Sequence, residues 1–308
     1  MDINHLINGC WLNLYKPKGM TSNQALGKVK RILNIKKMGH GGTLDPLAEG
    51  VLPIAIGECT KVVSYLLMSD KSYVFDITFG EKRTTDDMEG EVIETSNINP
   101  CNDDIVNILS SFLGEGEQLP PVFSAIKVSG KKLCDIARKS SIDDAEKLLK
   151  KRNITIKELS FLKRVNENTV RIDVLCSKGT YVRSLARDIS KSLGTVGYVS
   201  FLKRTKSGSF LEKDSISMEK LTKFHYSVEE SVGFLKVRQP LDDILVLSVS
   251  SEEAERMRKG QRVFLESALN YGNELPVFIE YNGYLICIGE INNSVVAPKR
   301  VFNKNVYL

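Results

Sequence analysis

The chain has 308 residues, 42% of them hydrophobic and 26% charged, the composition of an ordinary soluble globular protein with room for one large domain and a small one, and it excludes disorder and fibrous repeats. Lysine and arginine outnumber aspartate and glutamate 43 to 38, a formal net charge of +5, which alone says little about a polyanionic partner. No apolar run approaches the roughly 18 residues of a membrane span, and Met1-Asp2-Ile3-Asn4-His5 lacks the basic start and apolar centre of a signal peptide, so a cytoplasmic protein without a membrane anchor is expected.

From the N-terminus, Leu12 and Leu14 alternate with Asn13 in a strand pattern that ends at the turn Lys16-Pro17-Lys18-Gly19. Thr21-Ser22-Asn23-Gln24 then fits a capping box, and Ala25, Val29, Ile32 and Leu33 follow at helical spacing, with Lys28, Lys30 and Arg31 on the wetter face. The glycine-dense Gly39–Gly50 segment reads as an ordered loop whose backbone bends tightly or lies close to a ligand. Tyr73, Phe75, Ile77 and Phe79 alternate with Val74, Asp76 and Thr78 as in a half-buried strand. A second pair of strands, near 154–161 and 170–176, is expected to turn at Asn166-Glu167-Asn168. A helix is expected from about Arg183 to Leu193, with Leu185, Ala186, Ile189 and Leu193 as its apolar stripe and Gly194 as its stop. Two further helical patterns between Asp103 and Lys151 flank Leu119-Pro120-Pro121, where the double proline forces an extended crossing.

These patterns predict an α+β domain on a largely antiparallel mixed sheet, spanning residues 1–236. Residues 237–308 read instead as a small β-rich, barrel-like domain, in which Asn282-Gly283 joins two short strands as a hairpin.

Charge is distributed unevenly. Between Ile3 and Leu44 there is no acidic residue, whereas Lys16, Lys18, Lys28, Lys30, Arg31, Lys36 and Lys37 all fall there. A surface that follows phosphates requires such a segment, since a nearby carboxylate would oppose counterion release; a solvated basic face is the plainer alternative.

Most familiar chemistries are missing. There is no G-x-x-x-x-G-K-[ST] or G-x-G-x-x-G for a nucleotide and no H-E-x-x-H for a metal. Cys10, Cys59, Cys101, Cys134, Cys176 and Cys287 form no C-x-x-C pair, and only three histidines accompany them. They read as buried, reduced fillers, and neither a metal nor a cofactor is expected. Asp45, the first acid after Asp2, is either a turn residue bonded to nearby backbone N–H groups or a nucleophile. His40 is either a satisfied loop histidine or an imidazole that stacks on a base, Tyr73 a core aromatic or a catalytic one, and Arg183 an exposed helix-end charge or part of a site.

Five blocks resolve these alternatives. They are Tyr15–Ser22, Gly39–Pro53, Asp70–Tyr73, Pro120–Ala125 and Lys178–Arg183. In this order they resemble the TruB-type tRNA pseudouridine synthases, which isomerise the T-loop uridine at position 55 of tRNA. The tail, with Ile288-Gly289 and Pro298-Lys299-Arg300-Val301-Phe302, is similar to a PUA RNA-binding domain.

The resemblance implies that Asp45 is the nucleophile, Tyr73 the tyrosine under the target uracil and Arg183 the arginine that pairs with the aspartate. It makes His40 the histidine that fills the stack when the uridine flips out. Lys16 and Pro17 buttress the site, and Tyr181 and Leu202 line its pocket. Residues 121–152 match an insertion that closes over the T loop. A cofactor-free, monomeric isomerase acting on the T arm of tRNA, without a guide RNA or protein partner, follows from the match. One rival is a tRNA-binding and folding chaperone whose catalysis is secondary; another is the guide-RNA-dependent relative, against which the insertion counts. Tyr15, Arg83 and Cys134 depart from the family pattern, where Asp, Thr and Tyr are usual.

Overall fold

The structure, a computed structural model, describes residues 7–124, 126–128, 130–139, 144–145, 147–223 and 233–308. The opening pentapeptide, positions 125, 129, 140–143 and 146 of the expected insertion, and the stretch 224–232 ahead of the expected boundary at 236 lie outside the described residues. In chain order the elements are β1 (Gly9–Lys16), α1 (Ser22–Leu33), β2 (Met38–His40), β3 (Glu49–Gly57), α2 (Val63–Leu67), β4 (Lys71–Phe79), β5 (Glu81–Arg83), β6 (Val92–Thr95), α3 (Asn102–Leu109) and β7 (Gly114–Gln118). There follow β8 (Lys127–Val128), β9 (Lys131–Lys132), α4 (Leu133–Lys139), β10 (Arg152–Asn166), β11 (Thr169–Cys176), α5 (Val182–Ser192) and β12 (Gly197–Ser207). The remainder adds β13 (Phe210–Leu211), β14 (Ile216–Ser217), α6 (Met218–Thr222), β15 (Phe234–Leu235), β16 (Leu245–Ser248), α7 (Ser251–Arg258), β17 (Val263–Phe264), β18 (Leu275–Tyr281), β19 (Tyr284–Asn292) and β20 (Val295–Tyr307).

Two compact units result, one of Met1–Asp45, Gly50–Met68 and Ser207–Leu308, the other of Pro46–Glu49 and Ser69–Lys206. In the first, β1 pairs antiparallel with β3 and β15 and parallel with β14. It is buried on both faces: Trp11, Leu12 and Leu14 are joined by Asn13, expected on a wet face but only 1% exposed. Asn13 is tolerated there because its Nδ2 donates to the Leu211 carbonyl at 2.8 Å and its backbone N–H to that of Gly233 at 2.7 Å. Trp11 meets Phe210 edge-on at 5.6 Å and packs in one apolar cluster with Val51, Leu66, Phe278, Ile288 and Phe302. The first strand and the C-terminal strands thus share a core.

A five-stranded sheet, β16-β18-β19-β20-β17, completes this unit. Its β18–β19 turn places Asn282 and Gly283 at φ 51° and 78°, the left-handed pair a two-residue hairpin requires. A second cluster gathers Met257 of α7 with Ile279, Cys287 and Val296.

In the second unit the strand order is β12-β4-β11-β10-β7, and from β4 to β7 each strand is antiparallel to the next. Phe75, Ile77 and Phe79 are buried as their alternation predicts, and so are Leu185, Ala186 and Ile189 of α5. Asp76, expected on the wet face, is 5% exposed. Arg171 on the adjacent strand grips both its oxygens, at 2.6 and 2.8 Å, and lies over the Phe201 ring, so the charge is buried only with its partner.

The cysteines are free, but not all are buried. Cys10, Cys59, Cys176 and Cys287 are, while Cys101 is exposed and Cys134 half-buried. Burial pushes the thiols of Cys176 and Cys287 up to about 12 and raises those of Cys10 and Cys59 as well, which leaves these four as protonated core residues. Cys101 caps α3 instead, its Sγ accepting from the Asp104 N–H. No helix among the described residues is long and apolar enough to cross a membrane.

Candidate active site

Of the residues singled out by sequence, Lys16, Pro17, His40 and Asp45 lie in the first unit, and Tyr73, Tyr181, Arg183 and Leu202 in the second. Lys16 ends β1 with no exposed surface. Its Nζ turns back into the following bend and donates to the carbonyls of Pro17 at 2.9 Å and Met20 at 2.6 Å. The buried ammonium therefore builds the turn that launches α1. Pro17 is half-buried there, and Gly19 takes a φ of 80°.

Thr21 caps α1 as its capping box predicts, accepting from the Gln24 N–H at 3.1 Å while Gln24 accepts from Thr21 at 2.9 Å. The next residue reaches the nucleophile candidate. Ser22 is 2% exposed; its hydroxyl accepts from the Leu44 N–H at 2.8 Å and donates to the Leu44 carbonyl at 3.0 Å. Asp45, half-buried, thus follows a residue whose backbone is locked to the start of a helix.

His40, expected in a loop, ends the short strand β2 opposite Ile54 of β3. The Gly41 N–H continues this zipper onto the Pro53 carbonyl at 2.7 Å. A Cβ at Gly41 would come within 2.7 Å of Leu66, so close approach explains at least that glycine.

In the second unit Tyr73 is the third residue of β4, opposite Val174 and half-exposed, and Leu202 is buried on β12. Lys71 shares Tyr73's face of β4 by the period of the strand. Its burial and the Arg204 guanidinium push its ammonium down to about 8.

Tyr181 occupies the N-cap position of α5 without a side-chain cap bond. Gln118 serves from a distance, accepting from the Tyr181 N–H at 2.8 Å and donating to its carbonyl at 3.1 Å.

Arg183 is buried at 4% exposure rather than exposed at a helix end. Nη1 donates to the Thr85 carbonyl at 2.9 Å and lies 3.5 Å from the Asp87 carboxylate; Nη2 donates to the Phe123 carbonyl at 3.0 Å. Asp87, given no role by the sequence, is 2% exposed and also accepts from the Thr85 hydroxyl at 2.5 Å and the Glu89 N–H at 3.0 Å.

The departure at Arg83 is absorbed by the same turn. Its guanidinium lies 4.4 Å over the Tyr198 ring, pairs with Glu81 at 2.6 Å and donates to the Gly90 carbonyl at 3.2 Å. Glu81 first, and the Tyr198 phenol after burial's opposing effect, hold Arg83 above its ordinary pKa.

Ser22, Gln118 and Asp87 are what sequence reasoning missed, as are Asp86 and Arg187, which pair with each other at 2.8 Å. The available signals were the consecutive acids Asp86-Asp87 and the four-residue spacing of Arg183 and Arg187.

Comparison with known proteins is consistent along the chain. Residues 30–182 match the TruB family pseudouridylate synthase N-terminal domain, residues 183–246 the tRNA pseudouridylate synthase B C-terminal domain, and residues 246–302 the pseudouridine synthase II TruB C-terminal domain. The tRNA pseudouridine synthase B of Caulobacter vibrioides is 43% identical over 95% of this chain and 95% of its own. That of Ehrlichia canis is 42% identical over 95% and 97%. A chain in the structure of an H/ACA RNP bound to a substrate RNA containing 2'-deoxyuridine shares the fold with a TM-score of 0.72, at 23% identity over 97% of this chain and 86% of that one. With relatives this similar over nearly its whole length, the chain belongs to the TruB family of pseudouridylate synthases.

Proposed function

We propose that the protein is a tRNA pseudouridine synthase that isomerises the T-loop uridine at position 55. Family membership along nearly the whole chain supports this reading, together with one observation: the carboxylate of Asp45 stands directly after the backbone that Ser22 locks. A nucleophile must be held still to attack.

The reaction exchanges one bond for another. The C1′–N1 bond of uridine breaks, a C1′–C5 bond forms, C5 loses a proton and N1 gains one. Atoms and electrons balance within the nucleotide, so the isomerisation itself consumes no co-reactant. Because C5 is inaccessible in a stacked base, the nucleotide must flip out, at a cost of a few kcal/mol. His40 fills the vacated place in the stack. Asp45 attacks the pyrimidine ring or C1′, and Arg183 is the arginine that pairs with its carboxylate. Tyr73 lies under the uracil, Tyr181 and Leu202 line its pocket, and Lys16 with Pro17 buttresses the turn before α1. Residues 1–236 form the catalytic part, in which 121–152 close over the T loop, and residues 237–308 the PUA-like RNA-binding part. The enzyme works in the cytoplasm as a monomer, on tRNA alone.

Purified protein is expected to form pseudouridine, mapped by mass spectrometry, in a bare T-arm stem-loop without guide RNA or added protein. Asp45→Asn is expected to lower the rate on the order of 10⁴-fold, the usual loss on removing a nucleophile, with unchanged thermal melting. Near-normal turnover of that variant would refute the assignment, and a biological effect that survives loss of pseudouridine formation would favour the chaperone instead.

A further inference from the structure

Two consecutive carboxylates of one turn face two arginines one helical turn apart. Asp87 lies 3.5 Å from Arg183, and Asp86 lies 2.8 Å from Arg187. Positions 183 and 187 share a face of α5. The turn itself is shaped by Asp86, whose φ of 59° is left-handed, a conformation that aspartate and asparagine tolerate better than most residues. Its carbonyl accepts from the Val199 N–H at 3.0 Å, and the Met88 N–H donates to the Val199 carbonyl at 3.0 Å. The turn is thereby hooked over β12.

Arg187 does more than neutralise Asp86. Its Nη2 donates to the Leu119 carbonyl at 2.8 Å, where the Ser184 hydroxyl also arrives at 2.8 Å. One guanidinium therefore holds the turn that carries Asp87 and the root of the segment that carries Phe123, and both of these anchor Arg183. Asp86 is 8% exposed. Burial raises its carboxyl pKa, and Arg187 and then Arg183 oppose that rise.

We propose that Asp86 and Arg187 are a positioning pair for Arg183, setting the 83–90 turn and the 119–123 segment against α5 so that the groups aiming Arg183 stand in place before tRNA arrives. The proposal rests on the isomerase reading above. It extends that reading to two residues outside the set proposed to meet the uridine.

Single-turnover pseudouridine formation at saturating tRNA tests it, with thermal melting in parallel. Asp86→Asn removes the charge but keeps a residue suited to the left-handed backbone. Arg187→Met keeps the stem, and Arg187→Lys keeps the charge without the fork. Asp86→Asn and Arg187→Met are each expected to slow the reaction about tenfold or more, the double variant to be no slower than the worse single, as for residues that act as a unit, and Arg187→Lys to recover part of the rate. Should Arg187→Met not fold, Asp86→Asn and Arg187→Lys carry the test. Single variants within about twofold of wild type, whatever their melting temperature, overturn the proposal, and so do losses that multiply in the double variant. A wild-type protein that forms no pseudouridine would instead overturn the isomerase reading.

Discussion

Helices α1 and α5 begin with the same device. In each case a strand ends, a Lys-Gly turn with glycine in the left-handed region follows (Gly19 at φ 80°, Gly179 at 81°), and the helix starts three residues later, at Ser22 and Val182. Their anchors differ. The first turn of α1 is capped by its own Thr21 and Gln24, and Ser22 reaches only to Leu44. That of α5 has no side-chain cap of its own; Gln118, Thr85, Asp87 and Phe123 hold it from sixty or more positions away. A helix fixed by its neighbours in sequence forms early and independently, whereas one fixed by remote partners is set only when the whole unit closes.

The largest difference between the two should appear on removing a remote partner. Arg183 and Asp87 have side chains 5% and 3% exposed, so Asp87→Ala strands a buried guanidinium whose remaining neighbours include two carbonyls. A loss of about 3–5 kcal/mol is expected, the cost of breaking a buried pair, measured by urea unfolding. Replacing both partners by hydrocarbon, as Arg183→Met with Asp87→Leu, should recover most of that stability. Were Asp87→Ala to cost under about 1 kcal/mol, the range of an exposed pair, α5 would be no more dependent on remote contacts than α1.

This contrast also marks where the sequence was legible. The capping box at Thr21, the Asn282-Gly283 hairpin and the burial of Leu185, Ala186 and Ile189 on α5 are short-range chemistry, and each stands where its pattern puts it, while Leu193, the last of the expected stripe, is half-buried just past the helix. Asp76 and Asn13 do not: alternation put them on wet faces, and partners on other strands buried them. At the site, all the named residues except Leu202 stand in blocks of adjacent letters. Asp87 and Gln118 escaped because their importance lies wholly in what they meet after folding, as does that of Ser22, whose hydroxyl locks a residue 22 positions on.

The first unit has a remote carboxylate of its own. Glu58, 3% exposed, accepts from Lys37 at 2.6 Å, Lys61 at 2.5 Å and the Asn303 N–H at 2.6 Å, and so links β20 to the end of β3. Burial alone would raise its pKa, but the hydrogen bonds from Lys37, Lys61 and Asn303 together outweigh it and bring it below the ordinary value. A carboxyl depressed by folding stabilises the protein above its unfolded pKa, about 4.3 for glutamate, and loses that contribution as pH falls through the lower folded value. Glu58→Gln is therefore expected to cost about 1–3 kcal/mol at neutral pH, with the gap to wild type closing in acid below about pH 4.3. Lys37 is 52% exposed, so its share should be small and salt-sensitive. A gap independent of pH would show that packing rather than charge holds this corner.

The smallest effect belongs to the helix that caps itself. Thr21→Ala removes the oxygen that satisfies the Gln24 N–H and should cost about 1 kcal/mol, while Thr21→Ser should cost less because the acceptor remains. The Gln24 side chain still reaches the Thr21 N–H, so only half of the box is lost. If α1 stands on this local bond, amide exchange in its first turn should quicken by the factor that the stability loss dictates, about fivefold for 1 kcal/mol, while α5 exchanges as before. Equal acceleration in both helices would mean that α1, like α5, is held by the fold as a whole, and the distinction between them would disappear.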